Sequence, residues 1–334
     1  MPERIYPMLT IGLLLDEGGG CAYYRGLMPG LELVARGYDV IRPQPDGLFG
    51  SDLVVGQRVL THKNTGIWQR LAAEGYPLVY DLDDNLFSLD PRNPAARLME
   101  PGWMTNLIEN VGLATMVTVT NDHLAAAVSA YNPNVVVLPN MIDAALLDWE
   151  RPRPARVTVG WSGSACHAVD WASAARGIGA FLRRRPDVDL HIVGADYRRE
   201  LGRPQARLTA WREPAVFHQA LDFDIGVIPL DWQPFNRSKS DIKLLEMSAL
   251  GIPVVASNYG PYEVIEHGVT GFVIDREPEW KKYLTMLADD AELRAEIGAR
   301  AKAWARTRTI QGNAHRWEQV YLAAIAAQRG IALV

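Results

Sequence analysis

The sequence predicts an α/β protein built from two Rossmann-like, doubly wound domains. Its 334 residues are enough for two domains of ordinary size, and a content of 48% hydrophobic and 22% charged residues is typical of a folded chain. Short apolar runs bounded by turn residues alternate with longer segments of helical period, which is the pattern of parallel strands joined by crossover helices. The charged segment Asp148 to Arg156, which contains two prolines, interrupts this alternation and is typical of a linker.

Each half of the chain carries six candidate strands. In the first half they are Thr10 to Leu15, Tyr38 to Arg42, Leu53 to Val55, Leu78 to Asp81, Met116 to Thr120 and Val135 to Leu138. In the second half they are Val157 to Trp161, Asp189 to Val193, Leu208 to Thr209, Ile225 to Pro229, Pro253 to Ser257 and Gly271 to Ile274. Helical periodicity is clearest over Ala22 to Arg36, Thr65 to Glu74, Ala168 to Arg184, Ile242 to Leu250 and Glu292 to Arg306. We therefore expect one domain over residues 1–150, a second over 151–312, and a C-terminal helix in 313–334 that packs back across the seam between them.

Composition excludes several classes of function. The formal net charge of −5 gives no reason to expect a polyanion held by bulk electrostatics. The two cysteines, Cys21 and Cys166, are far apart and lack metal-ligand spacing, which argues against a disulfide framework or a zinc site. No apolar run approaches the length of about 20 residues needed to cross a bilayer, and the start of the chain lacks the pattern of a secretion signal. We expect a soluble, cytoplasmic protein.

The segment from Ser238 to Ser257 carries the strongest chemical signal. A polar loop opens a helix, Gly251 and Pro253 close it, and a buried strand follows, so the helix should begin beside the carboxyl edge of a parallel sheet. The N–H groups of a first helical turn bind anions, and Lys243 can add a full positive charge there. Glu246 lies on the same face of the helix, where its carboxylate can accept hydrogen bonds from two neighbouring ribose hydroxyls. The alternative is an amphipathic helix with a Lys–Glu pair on its surface.

The residues from Lys243 to Ser257, followed by Gly260 to Ile265 and Gly268 to Ile274, resemble the retaining GT-B glycosyltransferases known as glycosyl transferases group 1, or family 4. The resemblance implies two Rossmann-like domains that face each other across a cleft, the first binding an acceptor and the second a nucleotide-sugar donor. It also implies transfer of a sugar from a UDP or GDP type of donor with retention of configuration. Neither a metal nor another cofactor is expected.

The resemblance also assigns roles within the segment. The family carries a Glu-x7-Glu element whose second glutamate, here Glu246, holds the donor ribose. The first position, near the donor sugar, is Ser238 in this sequence, so the element departs from the family at the sugar itself. Lys243 is similar to a lysine that contacts donor phosphates in GT-B relatives. The donor-binding residues expected in this segment are Lys239, Lys243, Leu244 and Glu246, and Ser238 is a catalytic candidate.

Further donor contacts are expected elsewhere in the second domain. Gly163 and Ser164 resemble the family's first glycine loop, where small residues let backbone N–H groups approach a phosphate. His167 and Asp170 follow, and His167 either reaches a phosphate or acceptor or is a helix cap or solvent-facing residue. Trp211 and Arg212 occupy the place where the family holds the nucleobase, although Trp211 could instead belong to the core.

In the first domain, Gly18-Gly19-Gly20 follows the first strand, and the family uses this turn to line the cleft. Gly19 and Gly20 are therefore expected near the donor, although a glycine run is also typical of an ordinary strand-to-helix turn. Asp83 and Asp84 follow a buried strand at the same end, where many family members carry a histidine that touches the donor sugar. They are catalytic candidates, and the alternative is capping of the loop by aspartates. Asp81-Leu82-Asp83 also matches the metal signature of GT-A enzymes, but the two-domain pattern speaks against that fold.

The sequence therefore predicts a glycosyltransferase whose acceptor is open between a natural product, a glycan, a lipid carrier, a protein and a modified nucleic-acid base. Two alternatives come from other classes. A GT-B epimerase or phosphorylase would use the same domains, and a non-catalytic sugar-nucleotide-binding protein would account for Ser238 in place of a glutamate.

Overall fold

The computed structural model describes residues 9–16, 19–42, 45–90 and 93–331, and these form two compact units. Unit 1 comprises the described residues up to Asn140, the short segment Ser238–Ser240, and the chain from Ile310 onward. Unit 2 comprises Met141–Arg237 and Asp241–Thr309. The chain thus leaves unit 2 twice, once for three residues and once for the C-terminal helix. The domain limits expected from the sequence, 150 and 312, stay predictions beside this geometric division.

Unit 1 contains a six-stranded, wholly parallel sheet in the order β2-β1-β3-β4-β5-β6. Its strands are β1 (Thr10–Leu15), β2 (Asp39–Ile41), β3 (Leu53–Gln57), β4 (Leu78–Leu82), β5 (Met116–Val119) and β6 (Val135–Val137). Its first five helices are α1 (Gly20–Ala22), α2 (Met28–Ala35), α3 (His62–Ala73), α4 (Trp103–Leu113) and α5 (Asp122–Val128). A π-helical turn over Tyr23–Leu27 joins α1 to α2. Every residue of β3 and β4 is buried, which explains why both are apolar runs rather than alternating patterns.

Unit 2 repeats the architecture with a parallel sheet in the order β12-β11-β10-β7-β8-β9. Its strands are β7 (Thr158–Gly163), β8 (Asp189–Gly194), β9 (Arg207–Thr209), β10 (Ile225–Ile228), β11 (Val254–Ser257) and β12 (Phe272–Ile274). Its helices are α6 (Ala168–Arg184), α7 (Pro234–Arg237), α8 (Ile242–Ala249), α9 (Pro278–Asp289) and α10 (Ala291–Arg306). The last helix, α11 (Ile310–Gln328), belongs to unit 1, where it packs on α2.

The strand order places a switch point in each sheet. In unit 1 the chain order reverses beside β1, and in unit 2 it reverses between β7 and β10. Ligands of doubly wound sheets bind outside the carboxyl ends of the strands at such points. A ligand of unit 2 is therefore expected to bind at the loops that follow β7 and β10.

The predicted fold class is confirmed: both units are parallel α/β sheets with helices between the strands. All twelve predicted strands are present, and their bounds differ from the prediction by two residues at most. Within the described residues, no helix combines the length and apolar character needed to cross a membrane.

Candidate functional site

The switch point of unit 2 is built around Gly163, the last residue of β7. A side chain there would not fit, because its Cβ would lie 2.7 Å from Trp161 Cζ2 and 3.1 Å from Lys243 Cε. Gly194, at the end of β8, has a φ of 100°, a backbone conformation that favours glycine. A Cβ at Gly194 would approach the Gly163 carbonyl oxygen to 2.1 Å. Two glycines thus let the β7 loop lie directly against Lys243.

Helix α8 brings three of the predicted donor residues to this place. Lys243 is its second residue, and Glu246, one turn later, is only 7% exposed. Leu244 packs inside a hydrophobic cluster with Met247 and Ile252, so its side chain belongs to the core. Only the backbone of Leu244 is therefore placed to meet a ligand.

Lys243 is the half-buried first member of a hydrogen-bonded chain that continues to buried residues. Its Nζ lies 2.6 Å from Nε2 of His167, and Nδ1 of His167 lies 2.6 Å from Oδ2 of Asp170. The other carboxylate oxygen, Oδ1 of Asp170, accepts from the backbone N–H of Asp231 at 2.9 Å and from Nδ2 of Asn236 at 2.7 Å. His167 and Asp170 follow β7, whereas Asp231 and Asn236 follow β10, so the chain connects both sides of the switch point.

The remaining predicted donor residues of unit 2 lie in exposed loops. Ser164 is exposed, and its hydroxyl lies 2.9 Å from Cys166 Sγ. Trp211 is 46% exposed beyond edge strand β9, so it is not a core residue. Arg212 beside it is exposed, with its Nη1 3.5 Å from Gln219 Oε1. The structure leaves Trp211 and Arg212 available for contact with a flat ligand such as a base.

In unit 1, Asp83 and Asp84 share one cation at the carboxyl ends of β3 and β4. Arg58 donates from Nε to Oδ1 of Asp83 at 2.8 Å and from its second guanidinium nitrogen to Oδ2 of Asp84. Lys239 lies on the other side of Asp84, with 3.8 Å between its Nζ and Oδ1. Among the described residues other than glycine, only Arg58 has a positive φ, 49°. Such backbone strain persists where surrounding contacts hold it, and here the two carboxylates do so.

The pKa values in this cluster follow from burial and charge. Burial would lower the pKa of Arg58, but the Asp83 and Asp84 carboxylates raise it well above its usual value. Burial raises the pKa of the neighbouring Cys21 thiol well above its usual value; the Arg58 charge opposes this and the two carboxylates add to it. Cys21, Asp83 and Asp84 offer ligand atoms within 4.8 Å of one another. Because both carboxylates bind Arg58 and the thiol is protonated, this donor set does not suit a divalent cation.

Three other predicted residues of unit 1 lie near the same sheet edge. Gly19, with a φ of 98°, precedes α1, and Gly20 begins it; Gly18 lies outside the described residues. Ser238 is buried, and its carbonyl accepts from Nδ2 of Asn121 at 3.0 Å. The predicted donor segment Ser238 to Glu246 is thus divided, because residues 238–240 belong to unit 1 and residues 241–246 to unit 2.

Comparison with known proteins relates unit 2 to a family. Residues 157–290, most of unit 2, match the family model described as glycosyl transferases group 1. Unit 2 is therefore similar to the group 1 glycosyltransferases. No curated protein sequence matches it. The family match favours the glycosyltransferase prediction over an epimerase, a phosphorylase or a non-catalytic protein.

Solved structures similar to this protein cover nearly the whole chain. Sucrose-phosphate synthase from Thermosynechococcus elongatus is 15% identical with a TM-score of 0.73, covering 96% of this chain and 100% of that one. Anabaena HepE in complex with UDP and glucose is 18% identical with a TM-score of 0.68, covering 95% and 100%. An α-glucosyltransferase in complex with UDP and a 13-mer DNA containing an HMU base is 12% identical with a TM-score of 0.68, covering 96% and 100%. These likenesses establish the GT-B fold, so the GT-A alternative for Asp81-Leu82-Asp83 is wrong.

Two parts of the site were missed by sequence reasoning. The pairing of Arg58 with Asp83 and Asp84 was not predicted, and neither was the contact of Lys243 with His167, which joins residues 76 positions apart. His167 is 5% exposed, so the solvent-facing alternative is wrong. One signal existed for the first: a cation and two carboxylates that follow neighbouring parallel strands meet at the same edge.

Proposed function

We propose that this protein is a glycosyltransferase that takes its sugar from a UDP-sugar, with the uridine diphosphate held by unit 2 and the acceptor by unit 1. One observation carries the proposal: Lys243 stands in the first turn of α8, against Gly163 and at the switch point of the sheet. A helix start with a lysine beside a loop that excludes side chains suits a diphosphate. The solved complexes of HepE and of the α-glucosyltransferase contain UDP, which supports uracil as the base.

The donor would be bound through three kinds of contact. Lys243 and the backbone N–H groups of Gly163, Ser164 and Leu244 would hold the phosphates, Glu246 the ribose hydroxyls, and Trp211 with Arg212 the base. Positive charge at the phosphates stabilises the nucleoside diphosphate as it departs. Transfer then needs no metal ion, and the pairing of Asp83 and Asp84 with Arg58 supports this. Retention of configuration follows the family resemblance.

Unit 1 would contribute Asp83, Asp84, Ser238 and Lys239 to binding of the acceptor, and Gly19 and Gly20 would line the same edge. Lys239 lies beside Asp84, which in turn binds Arg58, so an acceptor hydroxyl would meet a cluster of alternating charge. Such a cluster both donates and accepts hydrogen bonds. The five acceptor classes named from the sequence stay predictions.

Calorimetry with UDP, GDP and ADP tests the donor. We expect UDP to bind best, and Lys243→Ala to weaken UDP binding by about 10- to 100-fold, because a charge-assisted hydrogen bond contributes about 1.5–3 kcal/mol. Arg300→Ala is the matched control, since it removes an exposed cation that pairs with Glu296 on its own helix. It should leave UDP affinity unchanged.

Glu246 has a sharper test in the ribose itself. The wild type should prefer UDP to 2′-deoxy-UDP by about 10-fold, because the carboxylate loses one hydroxyl donor in the deoxy compound. Glu246→Ala should weaken UDP binding and bind the two nucleotides equally. Unchanged UDP affinity in both the Lys243 and Glu246 variants would contradict the proposed donor site.

A further inference from the structure

The chain Lys243–His167–Asp170 has a defined direction of hydrogen bonding. A lysine ammonium only donates, so Nε2 of His167 must accept from it and carries no proton. The proton of the neutral imidazole is then on Nδ1, where it faces Oδ2 of Asp170 at 2.6 Å. Each contact requires the tautomer that the other one imposes.

Both carboxylate oxygens of Asp170 have hydrogen-bond partners. Its side chain is 3% exposed, and Oδ1 accepts the Asp231 N–H and the Asn236 amide, both beyond β10. Buried carboxylates are stable only with such partners. The His167 ring is held in addition by Trp161, whose ring lies edge-on at 5.8 Å between centroids. The ring of His167 is therefore fixed on two sides before Lys243 makes contact.

We propose that His167 is a positioning residue for the donor diphosphate: it accepts one N–H of Lys243 and thereby fixes the ammonium over the Gly163 loop. The inference rests on the proposed function, since it assumes that Lys243 binds the diphosphate. Lysine has a flexible four-carbon side chain, and ordering it upon binding costs affinity. His167 removes that cost by holding the ammonium in place beforehand, and Asp170 acts through His167 by fixing its tautomer.

Two substitutions of His167 separate its two contacts. His167→Gln places an amide oxygen near the position of Nε2, so it keeps an acceptor for Lys243 and loses the contact with Asp170. His167→Asn places an amide N–H near the position of Nδ1, so it keeps the contact with Asp170 and loses Lys243. We expect His167→Asn to lower UDP affinity by about 5- to 10-fold and His167→Gln by about 3-fold or less, in line with one hydrogen bond to a charged group.

Uridine, which lacks phosphates, is the control ligand. Its affinity should be the same in the wild type and both His167 variants, because the role of His167 reaches the ligand only through the phosphates. In the Lys243→Ala background, His167→Asn should cause no further loss of UDP affinity, since the two residues act in series. Melting temperatures without ligand show whether each variant is folded.

Three results would overturn the inference. One is equal loss of UDP and uridine affinity in His167→Asn, which would indicate a structural role. Another is wild-type UDP affinity in His167→Asn while Lys243→Ala is weakened; the donor site would then stand and only the role of His167 would fall. The third is absence of UDP binding in the wild type, which would remove the proposed function and the inference with it.

Discussion

Arg25 is the most completely enclosed charge in unit 1. It is 1% exposed, its Nε and one terminal nitrogen bind Asp81, and the other terminal nitrogen donates to Leu138 and Asn140. Thr118 adds a hydrogen bond to Asp81 at 2.6 Å. Burial would lower the pKa of Arg25, but Asp81 raises it above its usual value. This enclosure leaves Arg25 no surface for a direct contact with substrate.

Substitution of Asp81 alone should therefore strongly destabilise unit 1. We expect Asp81→Asn to lower the free energy of unfolding by about 3–5 kcal/mol, because it leaves a buried guanidinium without its counterion. The double variant Arg25→Leu, Asp81→Asn should lose less than Asp81→Asn alone, since no buried charge remains. Glu296→Ala, which removes an exposed partner on helix α10, should cost under about 1 kcal/mol. Urea unfolding measures all three, and a double variant that loses as much stability as Asp81→Asn or more would contradict the argument.

At the scale of single residues, the sequence predicted where side chains lie better than which side chains they contact. Lys243 and Glu246 could be placed because the helix start and the following strand are local features of one segment. The contact of Lys243 with His167 could not, because it depends on the order of β7 and β10 in the sheet. Likewise Asp83 and Asp84 could be placed at a strand end, but their pairing with Arg58 depends on β3 and β4 being neighbours.

At the scale of elements, the prediction succeeded because buried parallel strands are continuous apolar runs. β1 and α6 have the bounds that the sequence predicts, since polar or turn residues end both sharply. β3 extends two residues further than predicted, to Gln57, which is buried despite its polar side chain. Polarity alone ended the predicted strand too early. Long-range burial, which the sequence does not display, decided the true end.

Gly194 gives a prediction for the junction of β7 and β8. We expect Gly194→Ala to destabilise unit 2 by more than about 1 kcal/mol, because φ is 100° there and the new Cβ would lie 2.1 Å from the Gly163 carbonyl oxygen. UDP affinity should fall as well, since Gly163 must move. Gly66→Ala is the control: it lies in α3 with no atom within 4 Å of its Cβ and should stabilise the protein by up to about 1 kcal/mol. Equal melting temperatures for the two variants would refute the steric argument.

At the scale of the whole molecule, the order of the chain does not match the order of its units. Ser238–Ser240 belongs to unit 1 although the residues on either side belong to unit 2, and α11 returns to unit 1, where Glu318 binds Arg36 at 2.6 Å. The apolar face of the C-terminal helix predicted that it packs back on the rest of the protein. Nothing in the sequence predicted that Ser238–Ser240 belongs to unit 1. This segment is held by hydrogen bonds that the Asn121 side-chain amide donates from Nδ2 to the Ser238 and Lys239 carbonyls. Such side-chain to backbone contacts leave no pattern in the sequence.

Both units contain buried tyrosines whose hydroxyls are costly to ionise. In unit 1, burial raises the pKa values of Tyr80 and Tyr321 above their usual range. In unit 2, burial raises the pKa of Tyr197 to about 12 and that of Tyr262 well above its usual value. A tyrosine in the unfolded chain loses its proton near pH 10.

Alkali should therefore destabilise both units. Between about pH 10 and 12 the unfolded chain has lost tyrosine protons that the native state still holds, so the free energy of unfolding falls as pH rises, by about 1.4 kcal/mol per pH unit for each such tyrosine. The stabilisation is complete below pH 10 and is lost toward the raised native pKa. Urea midpoints measured from pH 8 to 11.5 should show this fall, and Tyr197→Phe should make it shallower. Tyr131→Phe, at an exposed ring stacked on Phe87, should leave the slope unchanged. A midpoint that is independent of pH above 10 would mean that these hydroxyls ionise without unfolding, and that water reaches them in the native protein.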